Sequence, residues 1–170
     1  AKRGNRRFAF KAVRFKNPTD STLESGPVTV YGSTRFIGEG LSDPIPPHTT
    51  AFVPYALDRQ VVVDRTGTTG DEISRLLTVQ RGVVRAEVKH IRTTKLKVTN
   101  RQNLPARVFV RHTVRKGWSL TDAPKVYERL GEAHLFEVPL KAGETRTLVI
   151  KEATPLQRVI DLRSERSTEL

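Results

Sequence analysis

From Val83 onward the chain alternates apolar and polar residues at period two in four successive runs, VVRAEVKHI, TKLKVTN, ARVFVRHTV and HLFEVPLKAGETRTLVIKEATPL. Such alternation predicts strands with one buried and one wet face, because successive side chains of an extended backbone point to opposite sides. The first half keeps the same habit with more interruptions. FAFKAVRFK at 8–16 predicts a strand with Phe8, Phe10 and Ala12 on one side. Asn17, Pro18, Asp20 and Ser21 end it, and PVTVYG and RFIGEG then predict a hairpin or meander closed around Gly32 and Ser33. Pro44, Pro46 and Pro47 mark an extended crossing. TTAFVPYAL and RQVVVD return to strand character, with Pro54 suited to an edge or a bulge.

These elements predict an all-β chain, an immunoglobulin-like β-sandwich of two packed lobes of antiparallel strands. DRTGTTGDE at 64–72 is the clearest loop signal and the preferred boundary. The expected organisation is a basic disordered arm at 1–7, a first β lobe at 8–66, a linker at 67–74, a second sandwich lobe at 75–162, and at 163–170 a polar tail or the start of a helix. The lobes echo each other. FKNPTDSTLESGPVTVY, followed by PPHTTAFVPYALDRQVVVD, has the same strand, Asn-led break and strand order as VTNRQNLPARVFVRHTV, followed by LKAGETRTLVIKEATPLQRVID. The competing account is chance likeness between two β-hairpins. The final PLQRVIDLRSERSTEL reads either as a last strand running into a linker or as a helix start, from the spacing of Leu156, Val159, Ile160 and Leu162.

A chain of 170 residues can bury a self-sufficient core. Cysteine is absent, which excludes disulfides, thiolate nucleophiles and Cys-bound zinc. No apolar run is long enough for a membrane-spanning helix. The opening AKRGNRR carries no signal-peptide core, and with no methionine anywhere the chain reads as an excised piece of a longer protein.

Charge points outward. Thirty Lys and Arg against 18 Asp and Glu leave a formal net charge of +12, which draws anionic partners at long range. Arg85, Lys89, Lys95, Lys97 and Arg101 share one parity while Val84, Ala86, Val88, Leu96 and Val98 hold the other. Arg107, Arg111 and Arg115 continue the theme opposite Val108, Val110 and Val114, so one sheet face is expected to carry all eight cations. Such a face suits phosphates, sulfates or carboxylates; the plainer account is a solubilising face, or one neutralised by a neighbouring segment. Only Phe109 is interleaved among these residues, which ranks nucleic acid below an anionic polysaccharide or protein partner. Lys2, Arg3, Arg6 and Arg7 extend the charge into the arm.

Signals for catalysis are weak. His48, His90, His112 and His134 are widely spaced and form no HExxH or HxH pair, and no nucleophile elbow, phosphate loop or dinucleotide fingerprint occurs. His90 and His112 fall on the apolar parity, as core or seam histidines would. Asp64, Asp71 and Glu72 do not match a calcium loop. No cofactor, metal or catalytic residue is expected. Trp118, after Gly117, is expected to plug the end of a core, with ligand stacking as the sharper alternative.

Gly117-Trp118 after a basic strand end, the alternating HLFEVPL, the Ala142-Gly143-Glu144-Thr145 turn and the closing Glu152 to Leu156 resemble the C-terminal domain of unknown function of bacterial mucoidy inhibitor A-like proteins. The opening FKNPTDSTLESGPVTVYGSTRFIGEG is similar too, so the resemblance covers nearly the whole chain. It implies a β-sandwich beside coiled-coil segments of a longer, envelope-associated or cytoplasmic protein, those segments being partners alongside other proteins. It supplies no catalytic residues.

Overall fold

A computed structural model describes residues 7–80, 83–130 and 132–161, and the side chains among them other than those of 76–85 and 157–161. The chain is all-β with antiparallel sheets. Its strands are β1 (Phe8–Lys16), β2 (Gly26–Gly32), β3 (Arg35–Ser42), β4 (Thr50–Gln80), β5 (Val83–Asn100), β6 (Ala106–Thr113), β7 (Ser119–Asp122), β8 (Glu128–Leu130), β9 (Ala133–Leu140) and β10 (Thr145–Asp161). They form a five-stranded sheet ordered β1-β4-β5-β10-β7, the two-stranded sheet β2-β3, and a three-stranded sheet ordered β6-β9-β8.

The echo between the two halves has a physical basis in two buried asparagines. Asn17 ends β1 and Asn100 ends β5, both fully buried. Each Oδ1 accepts the backbone N–H two residues on, from Thr19 or Gln102, at 3.0 Å. Each Nδ2 donates to the carbonyl four residues on, Ser21 or Leu104, at 2.8 Å. The same amides reach a remote turn: Asn17 to the carbonyls of Ile45 and Pro46, Asn100 to that of Lys141. The backbone N–H groups of Asn17 and Asn100 donate to Thr49 and Glu144. Those turns match as well, closed by Thr49 to Pro46 and Glu144 to Lys141, with left-handed residues at His48 (φ 57) and Gly143 (φ 68). Each repeat is therefore strand, asparagine corner, antiparallel strand pair (β2 with β3, β6 with β9), turn and returning strand, with β7 and β8 inserted into the second.

Two expectations are corrected. Residues 67–74, read as a linker from their glycines, lie inside β4, which runs unbroken for 31 residues. Pairing within the sheet outweighs the weak strand preference of glycine there. The sequential lobes at 8–66 and 75–162 are not the compact units either. One unit comprises the chain up to Arg65, Leu96–Thr113 and Val126–Leu148; the other comprises Thr66–Lys95, Val114–Lys125 and the chain from Val149 on. Strands β4, β5 and β10 contribute to both, while the two asparagine corners themselves belong to the first unit.

The first unit has its core in Val53, Val61, Val62, Leu96, Val98, Phe136, Val138, Leu140 and Leu148. The alternation of β9 and of the even-numbered residues of β5 is what delivers these side chains. In β3, Gly40 is required by close approach, since a Cβ there would stand 2.4 Å from the Pro54 carbonyl oxygen. Pro54 lies opposite Ala12 at a register shift between β1 and β4, the bulge its missing N–H favours. Strand β1, at the edge of its sheet, departs from the half-buried expectation: apart from Phe8 and Ala9 it is exposed throughout. The arm also changes at its end, since the carbonyl of Arg7 accepts the Val63 N–H. Lys2, Arg3 and Arg6 lie outside the described residues, as does the tail at 163–170. The ending is a strand as far as Asp161.

Candidate interaction site

The structure separates the cations that parity had grouped. On β5, Lys89, Lys95 and Lys97 are exposed while Ala86, Val88, Leu96 and Val98 are buried, and Arg101 is exposed just beyond. The side chain of Arg85 lies outside the described residues. Arg107, Arg111 and Arg115 are exposed as well. However, β5 and β6 belong to different sheets, so these residues do not line one sheet face. The cause is the Asn100 corner, which carries the chain out of one sheet and into another where a tight hairpin would have folded it back. Lys97, Arg101, Arg107 and Arg111 fall in the first unit; Lys89, Lys95 and Arg115 fall in the second.

Within the first unit a groove of about 1790 Å³ runs between β1 and β4 on one side and β6 and β8 on the other. Ala106 to Arg111 line it consecutively, so residues of both parities of β6 border the space. Phe52 of β4 meets Phe109 of β6, and Phe109 meets Tyr127, with ring centroids 5.1 and 5.2 Å apart, so the rings join the two sides of the groove. The Arg107 guanidinium lies 5.5 Å from the Phe109 ring and bonds Glu137 at 2.6 Å, and that carboxylate holds it more firmly protonated than a free arginine. Arg14 crosses to Glu128 at 3.1 Å. Lys11, Lys16, Arg111 and Arg129 also line the groove and make no ion pair among the described residues. Sequence reasoning found Arg107 and Arg111 but missed Lys11, Arg14, Lys16 and Arg129, which only pairing and packing bring alongside.

The second unit holds a polar cluster. Arg92 shares the parity of the buried residues of β5, and Glu152 that of Ile150 on β10. They meet: Arg92 Nε donates to Glu152 Oε2 at 2.9 Å and its Nη2 to the same oxygen, with the Glu152 side chain wholly buried. Trp118, half-buried, lies under the Arg92 guanidinium at 5.1 Å and edge-on to His90 at 5.5 Å, and His90 bonds Asp71. The tryptophan expected to plug a core end thus packs on a charged group and an imidazole. A charged residue on an apolar parity was the signal that could have found this pair.

The chain matches no family model, no curated protein and no solved structure.

The histidines are less scattered than their spacing suggests. His48 bonds Asp20 at 2.8 Å on the surface. His112 and His134 stand directly opposite each other on β6 and β9. Among the described residues no three His, Asp or Glu gather to hold a metal, and Asp64, Asp71 and Glu72 lie along β4. Burial, then the charge of Arg129 and then His112, push the pKa of His134 below its usual 6.5. The unfolded chain then binds the extra proton first, so stability should rise as pH climbs from the folded pKa of His134 to about 6.5 and fall on acidification through that window. Thermal melts between pH 5 and 8 should show this slope in the native chain and a shallower one in His134→Gln. An equal slope would assign the effect to other groups.

Proposed function

We propose that this chain is a non-enzymatic interaction module of a larger bacterial protein, built of immunoglobulin-like β units related to the C-terminal domain of mucoidy inhibitor A-like proteins. Its exposed cations hold an anionic partner, either another protein or a further segment of the same one. The observation that carries this reading is the groove of the first unit, where Lys11, Lys16, Arg111 and Arg129 have no acidic partner among the described residues. Uncompensated cations in a concavity concentrate anions more effectively than the same charges on an open face. Lys97 and Arg101 add exposed charge to the same unit. Nucleic acid is the second reading, favoured by Phe10 and Tyr127, which are exposed along the groove. An anionic polysaccharide would be held by charge alone.

Retention on polyglutamate, DNA, RNA and an anionic polysaccharide at low and physiological salt tests the reading. The Lys11→Glu/Arg111→Glu variant should keep the native circular dichroism and lose roughly tenfold or more in affinity for the preferred probe. Unchanged affinity in a folded variant would remove the groove as the site. Arg107 is the wrong residue to reverse, because a glutamate there would face Glu137.

A further inference from the structure

Strand β6 carries an unused pairing edge. Among the described residues it pairs with β9 alone, register by register from Ala106↔Leu140 to Thr113↔Ala133. Six consecutive residues of β6, Ala106 to Arg111, line the groove. An edge of eight residues presents a row of N–H and C=O groups without strand partners, and proteins either guard such an edge or use it. At about 1790 Å³ the groove exceeds the roughly 300–1,000 Å³ typical of small-ligand pockets, and it follows a strand, which fits a length of chain better than a small molecule.

The side chains around the edge select the occupant. Arg111 on β6, Arg129 on β8 and Lys11 and Lys16 on β1 border the same space. They repel a second copy of this chain, whose net charge is +12, and attract an acidic strand. Phe109 is poorly placed to stack a base, since Phe52 and Tyr127 tilt against it at 45° and 61° and Arg107 lies 5.5 Å from its ring; Phe10 and Tyr127 are the exposed rings of the groove. Apolar side chains of an inserted strand can instead pack along these rings.

We infer that the β6 edge takes an extended acidic polypeptide by β-strand addition, the peptide backbone extending the β6-β9-β8 sheet while its carboxylates meet Arg111, Arg129, Lys11 and Lys16. This rests on the interaction-module reading and specifies its partner and geometry. Main-chain pairing supplies affinity, and the alternate acidic side chains supply selectivity.

The test uses the full chain and an eight-residue peptide alternating threonine and glutamate, compared with the same peptide N-methylated at alternate amides, with polyglutamate and with oligothymidylate. The alternating peptide should bind, should slow hydrogen exchange at the β6 amides that point away from β9, and should lose about tenfold or more when N-methylated. Arg111→Glu should weaken it comparably with the fold intact. Equal binding of both peptides without β6 protection, or tighter binding of oligothymidylate, overturns strand addition and leaves the anionic-partner reading standing. Failure of every anionic probe overturns both. Protection of β6 that rises with protein concentration alone would make a second copy the occupant and also overturn the inference.

Discussion

Replacing Asn100 by alanine is expected to cost about 3–5 kcal/mol of stability, enough to lower the melting temperature by roughly 10 °C. The side chain is fully buried and closes three backbone groups at once: it accepts from Gln102 N–H and donates to the carbonyls of Leu104 and Lys141. Alanine would leave those groups unpaired in a corner, each at a cost of about 1–3 kcal/mol. Aspartate would keep the acceptor but set a carboxylate against two carbonyl oxygens, so it should rescue little. Asn17→Ala should be at least as damaging, since its amide reaches Ser21, Ile45 and Pro46 and its oxygen takes both the N–H and the hydroxyl of Thr19. Urea unfolding measures both. Losses under about 1 kcal/mol would mean that water replaces the amide and that the corners are not sealed.

Removing one partner of the Arg92–Glu152 pair should cost a similar amount, about 3–5 kcal/mol. Glu152→Ala leaves a guanidinium that is only 21% exposed without its carboxylate, the Trp118 ring lying 5.1 Å away. Arg92→Met takes the paired cation away from a carboxylate that is wholly buried. Exchanging both residues, Arg92→Met with Glu152→Leu, should recover most of the loss, because an apolar pair of similar volume needs no desolvation of charge. Trp118 is the chain's one tryptophan and reads the change directly: its fluorescence should shift when the cation over its ring is removed. A double variant no more stable than either single one would show that the two side chains are not each other's main partner.

Much of the architecture was legible because it is local. Period-two alternation marked the strands, though in β9 it did not reveal that residues of both parities, Leu135 as well as Phe136, are buried. The repeat was visible as an Asn-led break in each half, since the asparagine's first bonds, to residues two and four places on, are themselves local. The linker at 67–74 misled for the same reason: glycine and threonine look like a loop until a neighbouring strand supplies the hydrogen bonds. The candidate site was legible only in part. Arg107 and Arg111 could be assigned to a wet face, but no local pattern places Lys11, Lys16 and Arg129 around the same groove.

The sequence by itself determined the β class, the positive charge, the exposed parity of β5 and the two corner asparagines, all of which follow from neighbours within a few residues. The tertiary structure decided which strands became sheet partners. That choice sent β5 and β6 into different sheets, dividing the expected basic face, and left β6 at the edge of its sheet among the residues that line the groove. Strand pairing joins residues far apart in the chain, and alternation records only which side of a strand is buried, never against what.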